Sequence, residues 1–395
     1  MRIAAPPALA AFVVLAACQI GPIAEPSTPA PLPTPTPIPT GTETPSPAPS
    51  PTAIATPRPT ARPGIQTTAV GTIPESFRYV AIDTEIADGR RTRLWLADLG
   101  GRRGATVVAE WEAPAAPVGG WSASADGRSV LISATGTRSR VALHLLRPET
   151  GETRVLYEDP GTIVISPRIS PDGQRYAYTV YPANGGSDLG IWAAALSGGG
   201  PRRIAAASTG TNVPAIPLGW SIDSSWLAFT RDLERTEVHL VPRDGGPDVV
   251  VGEGDKVSWR RNPPELLVGT YSPPTSRLYT YELATAKATD VARADKLFFA
   301  AIEWHPALDR FVYVESESAG REASGGIWIR NADGSAPTRL DLGRTVYAPQ
   351  WSRDGTLLSA LAGGDDVRVP VIDLLTGRQL SVLCRRGGTP PADCV

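Results

Sequence analysis

One short phrase recurs through the chain and constrains the fold more than any other feature. Trp121-Ser122-Ala123-Ser124-Ala125-Asp126-Gly127 leads into Val130-Leu131-Ile132. Ile169-Ser170-Pro171-Asp172-Gly173 leads into Tyr176-Ala177-Tyr178, and Trp220-Ser221-Ile222-Asp223 into Leu227-Ala228-Phe229. Eroded copies start at Trp259 and Trp304, where Arg260 and His305 stand in the serine's place. Trp351-Ser352-Arg353-Asp354-Gly355 restores the phrase. Successive starts lie 39 to 51 residues apart. Internal periods of this size belong to solenoids and propellers.

Between the phrases lies a second recurring piece, an apolar strand followed by a turn. Examples are Leu94-Trp95-Leu96-Ala97, Leu143-His144-Leu145-Leu146, Val238-His239-Leu240-Val241 and Ile327-Trp328-Ile329-Arg330. The turns after them carry Gly and Asp, as in Arg243-Asp244-Gly245-Gly246, which supply the positive φ of tight hairpins. No long amphipathic helical pattern occurs after Pro63. Each unit therefore holds four short strands joined by hairpins, and four-stranded units of this length are propeller blades. The expected fold is an all-β propeller of four-stranded antiparallel blades, seven favoured and six possible. In the first unit Phe77 to Ile82 is the second strand. Its inner strand comes from Thr67 to Ile73, or the ring closes by mixing the termini. The Asp-Gly turns the innermost strand into the second one. Trp121, Trp220, Trp259, Trp304 and Trp351 are expected to pack between blades.

These units resemble the TolB-like, WD-repeat-like β-propeller family, whose motif is Trp-Ser-Pro-Asp-Gly before an apolar strand, and Ile169-Ser170-Pro171-Asp172-Gly173 is the nearest copy here. The resemblance covers roughly residues 70–384. It implies a propeller and, often in such domains, an interaction platform. It implies no particular ligand.

The N-terminus is built of different material. Arg2 precedes an apolar run from Ala8 to Ala17, of signal-peptide length and too short to span a bilayer. Cys18 follows Leu15-Ala16-Ala17, which resembles the lipobox of bacterial lipoproteins. That resemblance implies export, cleavage before Cys18 and lipidation of its sulfur, with enough acyl chains for stable anchoring. Up to Pro63, proline then recurs almost every second residue in two runs, Pro29 to Pro39 and Pro45 to Pro51. Such a stretch buries no core and adopts extended polyproline II. At about 3.1 Å per residue it reaches roughly 130 Å, enough to lift a domain off a membrane. The expected organisation is a signal peptide over 1–17, a lipidated N-terminus and linker over 18–66, the propeller over 67–384 and a tail over 385–395. Cys384 and Cys394 remain for a disulfide that pins the tail, the alternative being two free thiols.

A search for chemistry leaves little. The net charge is -2 and no basic patch stands out, which argues against nucleic acid. His144 and His239 occupy equivalent positions in third strands, and His305 replaces a motif serine, so all three are expected to pack. No Gly-x-Ser-x-Gly elbow, no zinc or haem motif and no phosphate loop occurs. No cofactor is expected, and no catalytic or metal-binding residue is singled out. Acidic loops at Glu315-Ser316-Glu317, Asp365-Asp366 and Asp83-Glu85-Asp88 are the one place for Ca²⁺ or a cationic partner. Solvated loop tips are the commoner role for such charges. The inter-blade linkers 110–119 and 206–217 open on the same face and are the expected place for recognition. The leading expectation is a lipid-anchored envelope protein binding a protein, wall polymer or glycan. The alternative is a glycan lyase or hydrolase using paired loop carboxylates.

Overall fold

The computed structural model describes residues 65–385, apart from 87–88, 114–119, 136–140, 160, 183–188, 208–213, 233–234, 271–274, 296, 317–325, 341–345 and 363–366. Cys18, the proline-rich linker, Cys394 and acidic Asp88, Glu317, Asp365 and Asp366 lie outside the described residues. So do the side chains of Asp83, Glu85 and Cys384.

Seven four-stranded antiparallel sheets follow one another along the chain. They are the seven blades of a propeller, and no helix occurs among the described residues. In blades 2 to 7 the strands lie in chain order from the axis outward. Blade 3 is typical, with Thr162–Ile169 innermost, then Arg175–Pro182, Gly190–Ala195 and Arg202–Ala206 outermost. Seven separate hydrophobic clusters hold the ring, each joining one pair of neighbouring blades. The last of them packs Val80, Ile82, Ala97 and Leu99 of blade 1 against Val369, Val371 and Val382 of blade 7. Closure thus rests on side-chain packing between two whole blades, and this replaces the expectation of a blade mixed from both termini.

The repeated phrase works as a turn lock. The Ser170 hydroxyl donates to the Asp172 carboxylate and accepts the Arg175 N–H at 2.9 Å. Asp172 in turn accepts the Gln174 N–H at 3.0 Å. The same bonds recur with Ser221 and Asp223, and with Ser352 and Asp354. In blade 2 the lock is Ser124 and Asp126, not Ser122. The phrase therefore starts two residues later than its tryptophan suggests, and Ala123 holds the place that Trp220 and Trp351 hold elsewhere. Partial burial pushes Asp126, Asp223 and Asp354 up, but the serine and backbone hydrogen bonds outweigh it and hold all three below the usual carboxylate range. Their contribution to stability is present above pH 3.8 and is lost as the pH falls further.

Tryptophan at the phrase start ties one blade to the next. The Trp220 indole N–H donates to the Arg168 carbonyl at 3.1 Å and that of Trp259 to the Gly219 carbonyl at 3.2 Å. The side chain one residue before the phrase accepts a second bond from the following blade. Ser122 accepts the Ile169 N–H at 2.9 Å, Ser258 the Trp304 N–H at 2.8 Å, and Glu303 the Trp351 N–H at 3.1 Å. Trp220, Trp259, Trp304 and Trp351 are buried, as core packing requires, whereas Trp121 is half-buried.

Blade 1 departs from the pattern. Its sheet order is Phe77–Ile86, Gly89–Asp98, Ala105–Ala113 and then Ile65–Thr67 on the outside. The N-terminal strand was expected innermost, but it pairs with the outer strand through Gln66 opposite Glu110. After Thr67 the chain crosses the blade 2 hairpin, with Val70 N–H on the Pro148 carbonyl, and reaches the axis only at Phe77. Among the described residues, blade 1 therefore has no strand in the innermost position.

Candidate functional site

Inner strands of blades 2 to 7 all run toward their phrase turns, so the turns gather at one end of the axis. There they wall a funnel of about 790 Å³, to which every blade contributes. Phe77 and Tyr79 come from blade 1, Trp121 from blade 2, and Trp220, Trp259, Trp304 and Trp351 from later blades. Arg261 and Arg353 belong to the phrase turns on its wall. Recognition was expected at the opposite end, on linkers 110–119 and 206–217, and these fall mainly outside the described residues. The acidic loops at that end have the same standing. Among the described residues no three His, Cys, Asp or Glu side chains gather as a metal site would require.

The titratable groups on the funnel wall are mostly committed to the fold. Asp172 and Asp223 serve the turn locks described above. His305 does the work of serine and aspartate together. Its Nδ1 accepts the Ala307 and Leu308 N–H groups at 3.0 and 2.9 Å, which leaves Nε2 to donate to the Gly355 carbonyl at 3.1 Å. Burial first, then the nearby Arg310, holds its pKa below the usual histidine value. The expectation of a packing role for the histidines stands in the geometry. His144 lies opposite Ile132 and His239 opposite Phe229, the same position in two blades. His239 Nδ1 contacts Asp248 at 2.6 Å and its ring stacks on Phe229.

Below the funnel lie three ionisable groups, from blades 1, 3 and 6. Arg168, on the inner strand of blade 3, donates to the Leu218 carbonyl at 2.8 Å and the Pro167 carbonyl at 3.0 Å. Burial lowers its pKa to about 10, so it stays charged at neutral pH. Arg78 reaches from blade 1 into blade 7, donating to Ser359 Oγ at 3.1 Å and to the Ala348 carbonyl. Burial lowers it as well, to about 10, against the raising effect of Glu303 and Tyr347. Glu303 is pushed up to about 8 by burial, against the lowering effects of the Trp351 N–H and Arg78. At pH 7 the axial space thus carries two guanidiniums and a largely protonated carboxyl, and its field is positive. The one sequence signal for this set was position. Arg168 and Glu303 both precede a phrase start, where alternation along the inner strand turns side chains toward the axis.

Glu303 makes a prediction. Its folded-state pKa lies above the unfolded value, so its stabilising contribution is full below pH 4.5 and is lost as the pH rises toward 8. The melting temperature is expected to fall between pH 5 and pH 8, and Glu303→Gln should flatten that slope. Thermal unfolding followed by circular dichroism at both pH values checks it. An unchanged slope in the variant would assign the pH dependence elsewhere.

No protein-family model matches the chain, and no curated protein matches it. Solved structures do. A prolyl endopeptidase is similar over 83% of this chain at 13% identity with a TM-score of 0.58, and the match spans 50% of that protein. An oligogalacturonate lyase in complex with manganese is similar over 82% of this chain and 99% of its own, at 13% identity and a TM-score of 0.50. A TolB from Agrobacterium tumefaciens is similar over 62% of this chain and 88% of its own, at 18% identity, with a lower TM-score of 0.43. Likeness at such identities concerns the fold alone, and at that level the expected propeller stands.

Proposed function

We propose that this chain is a lipid-anchored envelope protein whose propeller is a non-catalytic binding platform, with the axial funnel as its receiving end. The partner is an extracytoplasmic protein, wall polymer or glycan. One observation carries the reading. The funnel draws its wall from all seven blades, with aromatic edges from six of them and guanidiniums from blades 5 and 7, while its aspartates and His305 are spent on holding turns. Concave walls of aromatic surface with a few polar groups are what ligand sites are made of. The linker supplies reach and Cys18 the tether.

A photo-crosslinking amino acid at Arg353, in the funnel, should give a discrete adduct in intact cells of the source organism. The same group at exposed Leu375, in a peripheral turn of blade 7, should give none. Equal labelling from both positions, or none from Arg353, would sink the funnel as the receiving end. Cleavage of a polysaccharide by the wild type but not by Glu303→Gln would favour the lyase or hydrolase instead, since a carboxyl held protonated near neutrality suits a general acid.

A further inference from the structure

We propose that the unpaired inner edge of blade 1 is a docking site for an extended peptide segment of a partner protein, one that presents an acidic side chain toward Arg78. This inference rests on the platform reading above and specifies its partner and mode of binding.

The strand Phe77–Ile86 begins at the funnel end. Tyr79 Oη donates to the Gly127 carbonyl in the blade 2 phrase turn at 2.8 Å, and Phe77 abuts the same glycine. It therefore runs away from the funnel, as second strands do. In blades 2 to 7 the second strand pairs on both sides. Here Phe77–Ile86 pairs with Gly89–Asp98 and, among the described residues, with nothing on its axial side. A row of backbone N–H and C=O groups thus faces the axis, and such a row is a template for another strand.

There is room for one. A cavity of about 400 Å³ runs along Arg78 to Ala81 and reaches Glu303 and Gln350 on the facing inner strands. Tyr79, Trp121, Glu303 and Gln350 line both this cavity and the funnel, so the two are continuous and a peptide enters from the funnel. An incoming strand antiparallel to Phe77–Ile86 occupies the place that six other blades fill with their own chain.

Side-chain chemistry selects the guest. Successive residues of the inserted strand face opposite sides, toward Trp121 of blade 2 or toward Arg78 and blade 7. Arg78 is buried, its Nε finds no hydrogen-bond partner, and among the described residues it forms no ion pair. Glu303 spends its carboxyl on the Trp351 N–H. A buried cation without a carboxylate is costly, and a guest Asp or Glu facing it supplies one. The chain's own ends are poor guests. Pro390-Pro391 interrupts the tail and the linker is proline-rich, and proline cannot donate to a ladder.

The probe is a fluorescein-labelled synthetic peptide with the sequence of residues 298–306, an inner strand of this chain that carries Glu303. Added to the purified full chain, it should raise fluorescence anisotropy at micromolar concentrations. Methylating alternate backbone amides of the peptide should abolish binding on the edge-facing register, and Glu303→Gln within the peptide should weaken it at least tenfold. Ala81→Phe in the protein fills the cavity and should also weaken binding at least tenfold. Hydrogen exchange on the wild type guards against a misfolded variant, with the axis-facing amides of Phe77, Tyr79 and Ala81 slowing only when peptide is bound. Binding insensitive to amide methylation, or no binding at all, overturns the inference. Axis-facing amides of Phe77, Tyr79 and Ala81 already protected in the free protein would show the edge filled by the chain itself, and would also overturn it. If the Arg353 crosslink survives any of these failures, the platform reading stands and only strand addition is lost.

Discussion

Replacing Gly355 by alanine should cost about 2–5 kcal/mol of stability, a large share of what a domain has. Two effects add. Gly355 sits at φ +75°, where an L-residue pays about 1–2 kcal/mol. Its new Cβ would also lie 2.3 Å from His305 Cε1 and 2.5 Å from Nε2. The imidazole cannot step aside cheaply, because Nδ1 holds two backbone N–H groups and its ring packs edge-on against Trp351 at 4.6 Å. Overpacking of that kind adds typically 1–3 kcal/mol. Gly377 is the control, with φ +69° and open space around it, so Gly377→Ala should cost only the conformational part. Urea unfolding of both variants compares them. In a His305→Ala background the Gly355→Ala cost should shrink to about that of Gly377→Ala. Equal costs for the two glycines in the native background would remove His305 from its role as the turn lock of blade 6.

This coupling shows which parts of the molecule the residue pattern discloses and which it hides. Period, hairpin turns and Ser-x-Asp-Gly are local, and they led to the right blades because each turn is built within one short stretch. Substitution of Ser by His at 305 looked like erosion, yet the imidazole reproduces the lock with different atoms. The pattern misled in blade 2, where Trp121 marked the phrase but Ser124 makes the bond to Asp126. It misled again in blade 1, because a three-residue strand such as Ile65–Thr67 carries too few side chains to say which edge it joins. Arg78, Arg168 and Glu303 were not legible as a group. They come from blades 1, 3 and 6, and only ring closure turns them toward one axis. Nothing local distinguishes them from arginines and glutamates on solvated faces.

Changing Cys18 to serine should move the protein wholly from the membrane fraction to the soluble fraction of the envelope or the medium. The expectation follows from the proposed tether and from simple energetics. A single acyl chain gives only marginal, reversible membrane binding, and stable anchoring takes two or more. No helix among the described residues is long and apolar enough to cross a membrane. Large apolar side chains of the propeller such as Leu94, Leu131 and Phe229 are buried. If the lipid on Cys18 carries the attachment, its loss should be all-or-none. Fractionation after feeding cells an alkyne fatty acid reads both halves, label incorporation and membrane retention. The wild type should be labelled and sedimenting, and the variant unlabelled and soluble. Linker length gives a second handle. Deleting residues 27–52 should leave labelling and sedimentation intact while shortening the reach of the propeller by roughly 80 Å at about 3.1 Å per residue. If the partner sits at a fixed distance from the membrane, the Arg353 crosslink should then disappear although the funnel is unchanged. A Cys18→Ser protein that still sediments with membranes would refute the tether, and the linker would lose its role as a measured spacer.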